Sequence, residues 1–228
     1  MDIKIIYGFK NAYKAKGLTV VIDVLRAFTT ACFIIGNEAK EIIAIANLKL
    51  AYQLKQQHPS WLLIGERMGV KQTGFDFGNS PLEIENVSFK NKTVILTTSL
   101  GTQAINLVSQ ASEIITGAFV NVQAVINYIK KKNPQHVSLV CTDAEFKDDE
   151  DIMLAKYIQG QLKNNPLDFN QIKKHLHNLP QLKQFLAHPL SSTYPQDFRL
   201  ALELDRFDFI LKAERNNNNL IVLKKVII

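Results

Sequence analysis

LTVVIDVLRAFTTACFII, residues 18–35, places two periodicities side by side. Leu18–Asp23 is a β-branched apolar run that ends on an acid, and an alanine-containing amphipathic stretch follows from Ala27. A strand that runs into a helix is the repeating unit of an α/β fold. Working outward, the unit recurs. Glu41–Ala46 reads as a strand and Leu48–Gln57 as a helix. Trp61–Gly65, Thr93–Thr98, Glu113–Gly117 and His136–Thr142 read as further strands, the last three leading into helical patterns near Gly101, Asn121 and Asp148. Continuous apolar strands alternating with helices require crossover connections and a sheet buried on both faces. The expected fold class is therefore α/β, a three-layer α/β/α domain with a mixed, mainly parallel sheet. Phe207–Ala213, a polar tip at Asn216–Asn219 and Leu220–Ile227 read as a β-hairpin, expected to add antiparallel strands at an edge of the sheet. Residues 164–190, lysine-rich and broken by Pro166, Pro180 and Pro189, read as a peripheral helical insertion in a single domain spanning 1–228.

At 228 residues the chain can bury roughly 70% of its unfolded surface, enough to fold without a disulfide or metal staple. A hydrophobic content of 46% and a mean hydropathy of −0.02 exclude disordered and collagen-like chains. The longest apolar runs are strand-length, short of the ~20 residues that span a bilayer. MDIKIIYGF at the start lacks a basic-then-apolar signal pattern, so the expectation is a cytoplasmic protein with no membrane partner. The net charge of +6 is concentrated late: residues 151–228 hold 11 basic and 7 acidic side chains, around Lys163, Lys173, Lys174 and Lys183. Aromatics are not interleaved with these lysines and no nucleic-acid motif accompanies them, so a solvated helix face is preferred to a nucleic-acid surface. Cys32 and Cys141 stand 109 positions apart in apolar surroundings and read as buried free thiols.

In open α/β sheets ligands bind beyond the carboxyl ends of the strands, and the polar residues of this chain gather at such points. Asp23-Val24-Leu25-Arg26-Ala27-Phe28-Thr29-Thr30 offers a metal ligand, an anion clamp and two hydroxyls at a helix start; the alternative is a capping aspartate with a surface arginine. Gly65-Glu66-Arg67-Met68-Gly69-Val70 and Gly74-Phe75-Asp76-Phe77-Gly78-Asn79-Ser80-Pro81 set charged groups among four of the ten glycines, a density that lets backbone approach a ligand or adopt positive φ. Thr97-Thr98-Ser99-Leu100-Gly101-Thr102 suits a phosphate cradle or an ordinary capped helix start. The acidic run Asp148–Asp151 is also favourable chemistry for a first helical turn. The chain has no Cys-x5-Arg loop, Asp-x-Asp-x-Thr/Val motif, Walker loop, Gly-x-Gly or Gly-x-Ser-x-Gly elbow, which sets aside cysteine phosphatases, the usual aspartyl-phosphate phosphatases and nucleotide folds.

Taken together, four segments resemble the magnesium-dependent 2-phosphosulfolactate phosphatases. That family's D-x-L-R-A-[ST]-[ST]-[ST] is matched by Asp23 to Thr30 except at Phe28. Its G-E-R-G-G and G-F-D-x-G-N-S-P are matched by Gly65-Glu66-Arg67 and by Gly74 to Pro81. Its T-T-x-N-G-T is matched by Thr97, Thr98, Gly101 and Thr102, and its E-D-x-x-x-A-G by Glu150, Asp151 and Ala155. Met68, Leu100, Thr142 and Lys156 depart from the pattern, and Leu100 removes a polar side chain that could hold substrate. The resemblance implies Mg2+-dependent hydrolysis of (2R)-phospho-3-sulfolactate, a small anionic phosphoester, on the way to coenzyme M. It implies Asp23, Arg26, Glu66 and Arg67 as catalytic residues, with Asp23, Glu66 and Asp76 at the metal. Thr29, Thr30, Asn79, Ser80, Thr97, Thr98, Gly101 and Thr102 would hold substrate, and Lys71 would add positive charge. Attack by a carboxylate and attack by activated water both stay open, as does a homodimer. A phosphatase of a different small phosphoester and a non-catalytic anion-binding protein are the alternative functions.

Overall fold

A computed structural model describes residues 1–143, 149–180 and 193–228. Nine strands form one sheet: β1 (Asp2–Tyr7), β2 (Lys16–Ile22), β3 (Glu41–Ala44), β4 (Leu62–Gly65), β5 (Thr93–Thr97), β6 (Gln110–Gly117), β7 (His136–Cys141), β8 (Phe209–Arg215) and β9 (Ile221–Ile227). The helices are α1 (Ala27–Gly36), α2 (Leu48–Gln57), α3 (Pro81–Ile84), α4 (Gly101–Leu107), α5 (Val122–Lys132), α6 (Glu150–Leu162), α7 (Phe169–Asn178) and α8 (Tyr194–Ala201). Short side chains begin several of them. Asn47, Ser80, Asp149 and Asp168 each accept a hydrogen bond from a first-turn amide, which satisfies a donor the helix itself leaves over.

The sheet order is β1-β7-β2-β6-β8-β9-β3-β5-β4. Five of its eight neighbouring pairs are parallel, so the sheet is mixed and mainly parallel, as expected. Alternation along the strands sends side chains to opposite layers. Val21, Ile42, Ile64, Leu96 and Val140 face the layer of α1, α3 and α4. On the other face, Val20, Ile22 and Leu139 meet α5, α6 and α7, while Ile43, Leu63 and Ile95 meet α2. This is the three-layer α/β/α arrangement.

Two expectations are corrected. Asp2–Tyr7, not recognised as a strand from sequence, is β1 and pairs in parallel with β7. Only Ile3 and Ile6 of its residues are buried, one on each face, so it lacks the continuous apolar run of the central strands. The β8–β9 hairpin is central rather than at an edge. β8 pairs antiparallel with β6, and β9 pairs antiparallel with β3. The physical reason is burial: Phe209, Ile210 and Leu211 on one strand and Ile221, Val222 and Leu223 on the other are apolar on both faces, a pattern that belongs inside a sheet. Because β6, β8, β9 and β3 reverse direction at each step, the two parallel halves run opposite ways along the ladder.

Within the lysine-rich stretch, α7 buries Ile172 and Leu176 against the α6 layer. Residues 181–192, including Lys183 and Pro189, lie outside the described residues, as does Asp148. Both cysteines are free and buried, as expected. No helix among the described residues is long and apolar enough to cross a membrane.

Candidate active site

Asp23 follows β2 and reaches forward, its Oδ1 accepting the Ala27 amide at 2.8 Å. This bond satisfies the first amide of α1, although Arg26 is the residue at the N-cap position, and it holds the acid at the head of the helix. Burial, together with the charges of Glu66 and Asp143, pushes the Asp23 carboxyl up to about 6 against hydrogen bonds from Ala27 and Thr142. Gly101, at the head of α4 in the other half of the sheet, approaches this carboxylate closely. A Cβ there would stand 2.7 Å from Asp23 Oδ2, so only glycine lets the turn close on the acid.

The two halves of the sheet meet here: a Cβ at Gly101 would also stand 2.8 Å from the Ala27 methyl, which puts the head of α4 against the head of α1.

In the second half, Gly65 ends β4 at φ +143° with its backbone so close to β5 that a Cβ would sit 1.9 Å from the Thr97 carbonyl oxygen. Glu66 follows, and its carboxylate accepts from the Ser99 amide at 2.6 Å, the Ser99 hydroxyl at 2.8 Å and the Gly69 amide at 2.7 Å. The guanidinium of Arg67 donates to the carbonyls of Glu66 and Ala46 and to Thr97 Oγ1. Burial lowers its pKa. Asp76 turns elsewhere: its Oδ2 accepts from the Leu63 amide at 2.7 Å and pairs with Lys55 at 3.0 Å.

A cleft of about 300 Å³ opens beside these loops, lined by Arg26, Lys71, Asn79, Ser80, Glu83 and Tyr194 among others. Arg26 donates through Nη1 to Asp197 Oδ2 at 2.7 Å, and its guanidinium carbon lies 4.5 Å from the Tyr194 ring centroid. The other Asp197 oxygen accepts from Ser80 Oγ at 2.7 Å and from the Leu82 amide at 3.1 Å. Asn79 Oδ1 is buried without a hydrogen-bond partner among the described residues, an acceptor set at the cleft wall.

Beyond β7 lies a second acidic group. Asp151 Oδ1 accepts from the Val24 amide, and Oδ2 from the amides of Thr142 and Asp143 and the Thr142 hydroxyl. The acid run opening α6 therefore braces the Asp23 loop as well as the helix. Burial, then the charge of Asp149, pushes Glu150 up to about 8. Burial, then the charge of Asp23, raises Asp151 well above the usual carboxylate range. Among the described residues no three His, Cys, Asp or Glu side chains are arranged to hold a metal ion by themselves.

Of the residues expected from sequence, Arg26, Asn79 and Ser80 share the cleft, while Asp23, Glu66 and Gly101 meet beside it. The hydroxyls of Thr29, Thr97, Thr98 and Thr102 hold the loops themselves. Thr29 donates to the Val24 carbonyl, Thr97 accepts from Arg67, and Thr98 pairs with Thr102. Thr30 Oγ1 is buried with no partner among the described residues. Sequence reasoning missed Asp197 and Tyr194. They lie in α8, where the only local signal is the proline that starts the helix.

The fold and these loops define an α/β protein that gathers carboxylates, hydroxyls and arginines where such folds hold small anionic ligands. Comparison with known proteins narrows the class. Residues 6–216 match the family model described as 2-phosphosulpholactate phosphatase, and the chain belongs to that family. A relative from Caldanaerobacter subterraneus subsp. tengcongensis, named probable 2-phosphosulfolactate phosphatase, is 34% identical over 220 residues, covering 86% of this chain and 87% of its own. Like-named relatives from Clostridium perfringens and Pseudothermotoga lettingae are 36% and 34% identical, over 76% and 78% of this chain and 73% and 77% of theirs.

Proposed function

We propose that this protein is a phosphoric monoester hydrolase that converts (2R)-phospho-3-sulfolactate to (2R)-3-sulfolactate and inorganic phosphate. The observation that carries the reading is that two motif segments supply Arg26, Asn79 and Ser80 to one cleft while the other two hold Glu66 and the Asp23 loop, in a chain matched to the family from residue 6 to residue 216. A substrate with phosphate, carboxylate and sulfonate groups requires several positive charges and hydrogen-bond donors. Arg26 and Lys71 supply the charge at the cleft, and the Asn79 amide supplies polar contacts beside them. Arg67, bonded to three oxygens of its own chain, acts by fixing the β4 and β5 ends and raising the positive potential there.

Mg2+ suits the donor set, because the acids near Asp23 offer only oxygen, and this ion is commonly held by one or two carboxylates with waters and substrate phosphate. Asp23 and Glu150 would hold it. Glu66, whose carboxylate accepts three hydrogen bonds, would tie the loops together, and Asp76 would serve Lys55. When bound, the ion would neutralise charge on the transferring phosphoryl group and orient its oxygens. The chain's own part is to hold the phosphoester against Arg26 and Asn79, and to keep Asp23 at the head of α1 facing it.

The test is phosphate release from synthetic 2-phosphosulfolactate with Mg2+ and with EDTA. Release that requires the ion supports both parts of the reading, and no release in either condition overturns it. Leu100, apolar where the family pattern carries asparagine, favours a second reading in which a related phosphorylated hydroxy acid is preferred. A panel of such esters, ranked by kcat/KM, separates the two.

A further inference from the structure

Asp197 is wholly buried, yet it lies 171 positions from Arg26, the side chain it pairs with. A buried carboxylate needs partners for both oxygens, and here one oxygen takes the Arg26 guanidinium while the other takes the Ser80 hydroxyl and the Leu82 amide. Arg26 is itself 7% exposed, and this is the one hydrogen bond its guanidinium makes among the described residues. The Tyr194 ring lies against the guanidinium. One Nη1 proton is thus committed to Asp197 and one face to tyrosine; the other guanidinium N–H groups have no partner among the described residues, and Arg26 lines the cleft. An arginine fixed in this way presents paired donors at a set angle, which is what recognition of a carboxylate, sulfonate or phosphate requires. The same carboxylate also holds Ser80, the residue that caps the start of α3.

We infer that Asp197 is a positioning residue that sets the angle at which Arg26 and Ser80 meet an anionic ligand in the cleft, and that Tyr194 supports the same arginine. The inference rests on the proposed function only for the choice of ligand. Its content is that Asp197 acts through Arg26.

Binding of (R)-3-sulfolactate and of inorganic phosphate, measured by calorimetry on the full chain, tests it without requiring turnover. Asp197→Asn retains an oxygen for Ser80 and Leu82 but sets an amide against Arg26. We expect affinity to fall tenfold or more, and the loss to appear in KM more than in kcat wherever wild-type protein turns over. Adding Asp197→Asn to Arg26→Ala is expected to cause little further loss, because the group it acts through is already gone. Asp197→Glu keeps the charge and is expected to recover part of the affinity. Equal losses in the wild-type and Arg26→Ala backgrounds, or unchanged binding by Asp197→Asn, would overturn the inference. If Asp197→Asn does not fold, Asp197→Glu carries the cycle with Arg26→Ala, and additive losses again overturn it. Wild-type protein that binds sulfolactate but releases no phosphate from the ester overturns the proposed hydrolysis alone.

Discussion

Two departures from the family pattern have a local cost that can be measured. Met68 is 92% exposed and sits at φ +53°, a left-handed conformation that costs a side chain roughly 1 kcal/mol and glycine almost nothing. Met68→Gly should therefore stabilise the protein by up to about 1 kcal/mol in urea unfolding, with little effect on the core. Leu100 precedes α4 and gives it no side-chain cap. Leu100→Asn should add about 0.5–1 kcal/mol by supplying one, and also test whether asparagine improves turnover of 2-phosphosulfolactate. Arg67 is a third case. A loop arginine serving substrate alone would be replaceable without loss of stability, but this one makes three hydrogen bonds to the chain. Arg67→Ala should cost about 1–3 kcal/mol of stability as well as turnover, and Arg67→Lys, which cannot span the three acceptors, should restore only part of either. An Arg67→Ala protein with wild-type stability would leave those bonds without energetic weight.

At the level of elements, the end of β2 and the start of α6 press buried acids against one another. A carboxyl whose folded pKa lies above its unfolded value binds its proton more tightly when folded. Its contribution is complete below the unfolded pKa and is lost as pH rises through the folded one. For Asp23 that window runs from ~4 to about 6, and for Glu150 from ~4.3 to about 8. Metal-free protein should lose stability between roughly pH 4 and pH 8. Glu150→Gln, which removes the ionisation, should flatten the upper part of that slope in EDTA. If Asp23 and Glu150 hold Mg2+, the ion should raise the melting temperature most near pH 8, where both acids are charged. A melting temperature independent of pH in EDTA would argue that these acids are relieved by other contacts.

For the molecule as a whole, the hairpin of β8 and β9 is the joint. Among the described residues it joins the β1-β7-β2-β6 half of the sheet to the β3-β5-β4 half, and its antiparallel pairings set the two halves running opposite ways. Leu211 and Leu223 are fully buried within it, so alanine at either should cost about 2–5 kcal/mol. Removing residues 207–228 should abolish cooperative unfolding, seen as loss of a single sharp transition in circular dichroism. Had the hairpin been an edge addition, the truncated chain would keep its transition with a lowered midpoint.

Periodicity and residue type by themselves determined most of the elements of this protein. β-branched apolar runs favour strands, longer runs with a helical period favour helices, and the polar ends of the strands marked the loops that carry the candidate site. Local sequence also determined that Asp23, Glu66 and Asn79 fall in such loops and that Gly101 opens the helix after β5. Tertiary structure alone decided which strands became neighbours, because pairing is set by which apolar faces can be buried together once the whole sheet exists. It decided that the final hairpin lies at the centre, and that Asp76 meets Lys55 rather than Asp23. It decided too that Arg26 finds Asp197 171 positions away. A contact of that span leaves no period or spacing in the chain, and it exists only because α8 packs back against the heads of α1 and α3.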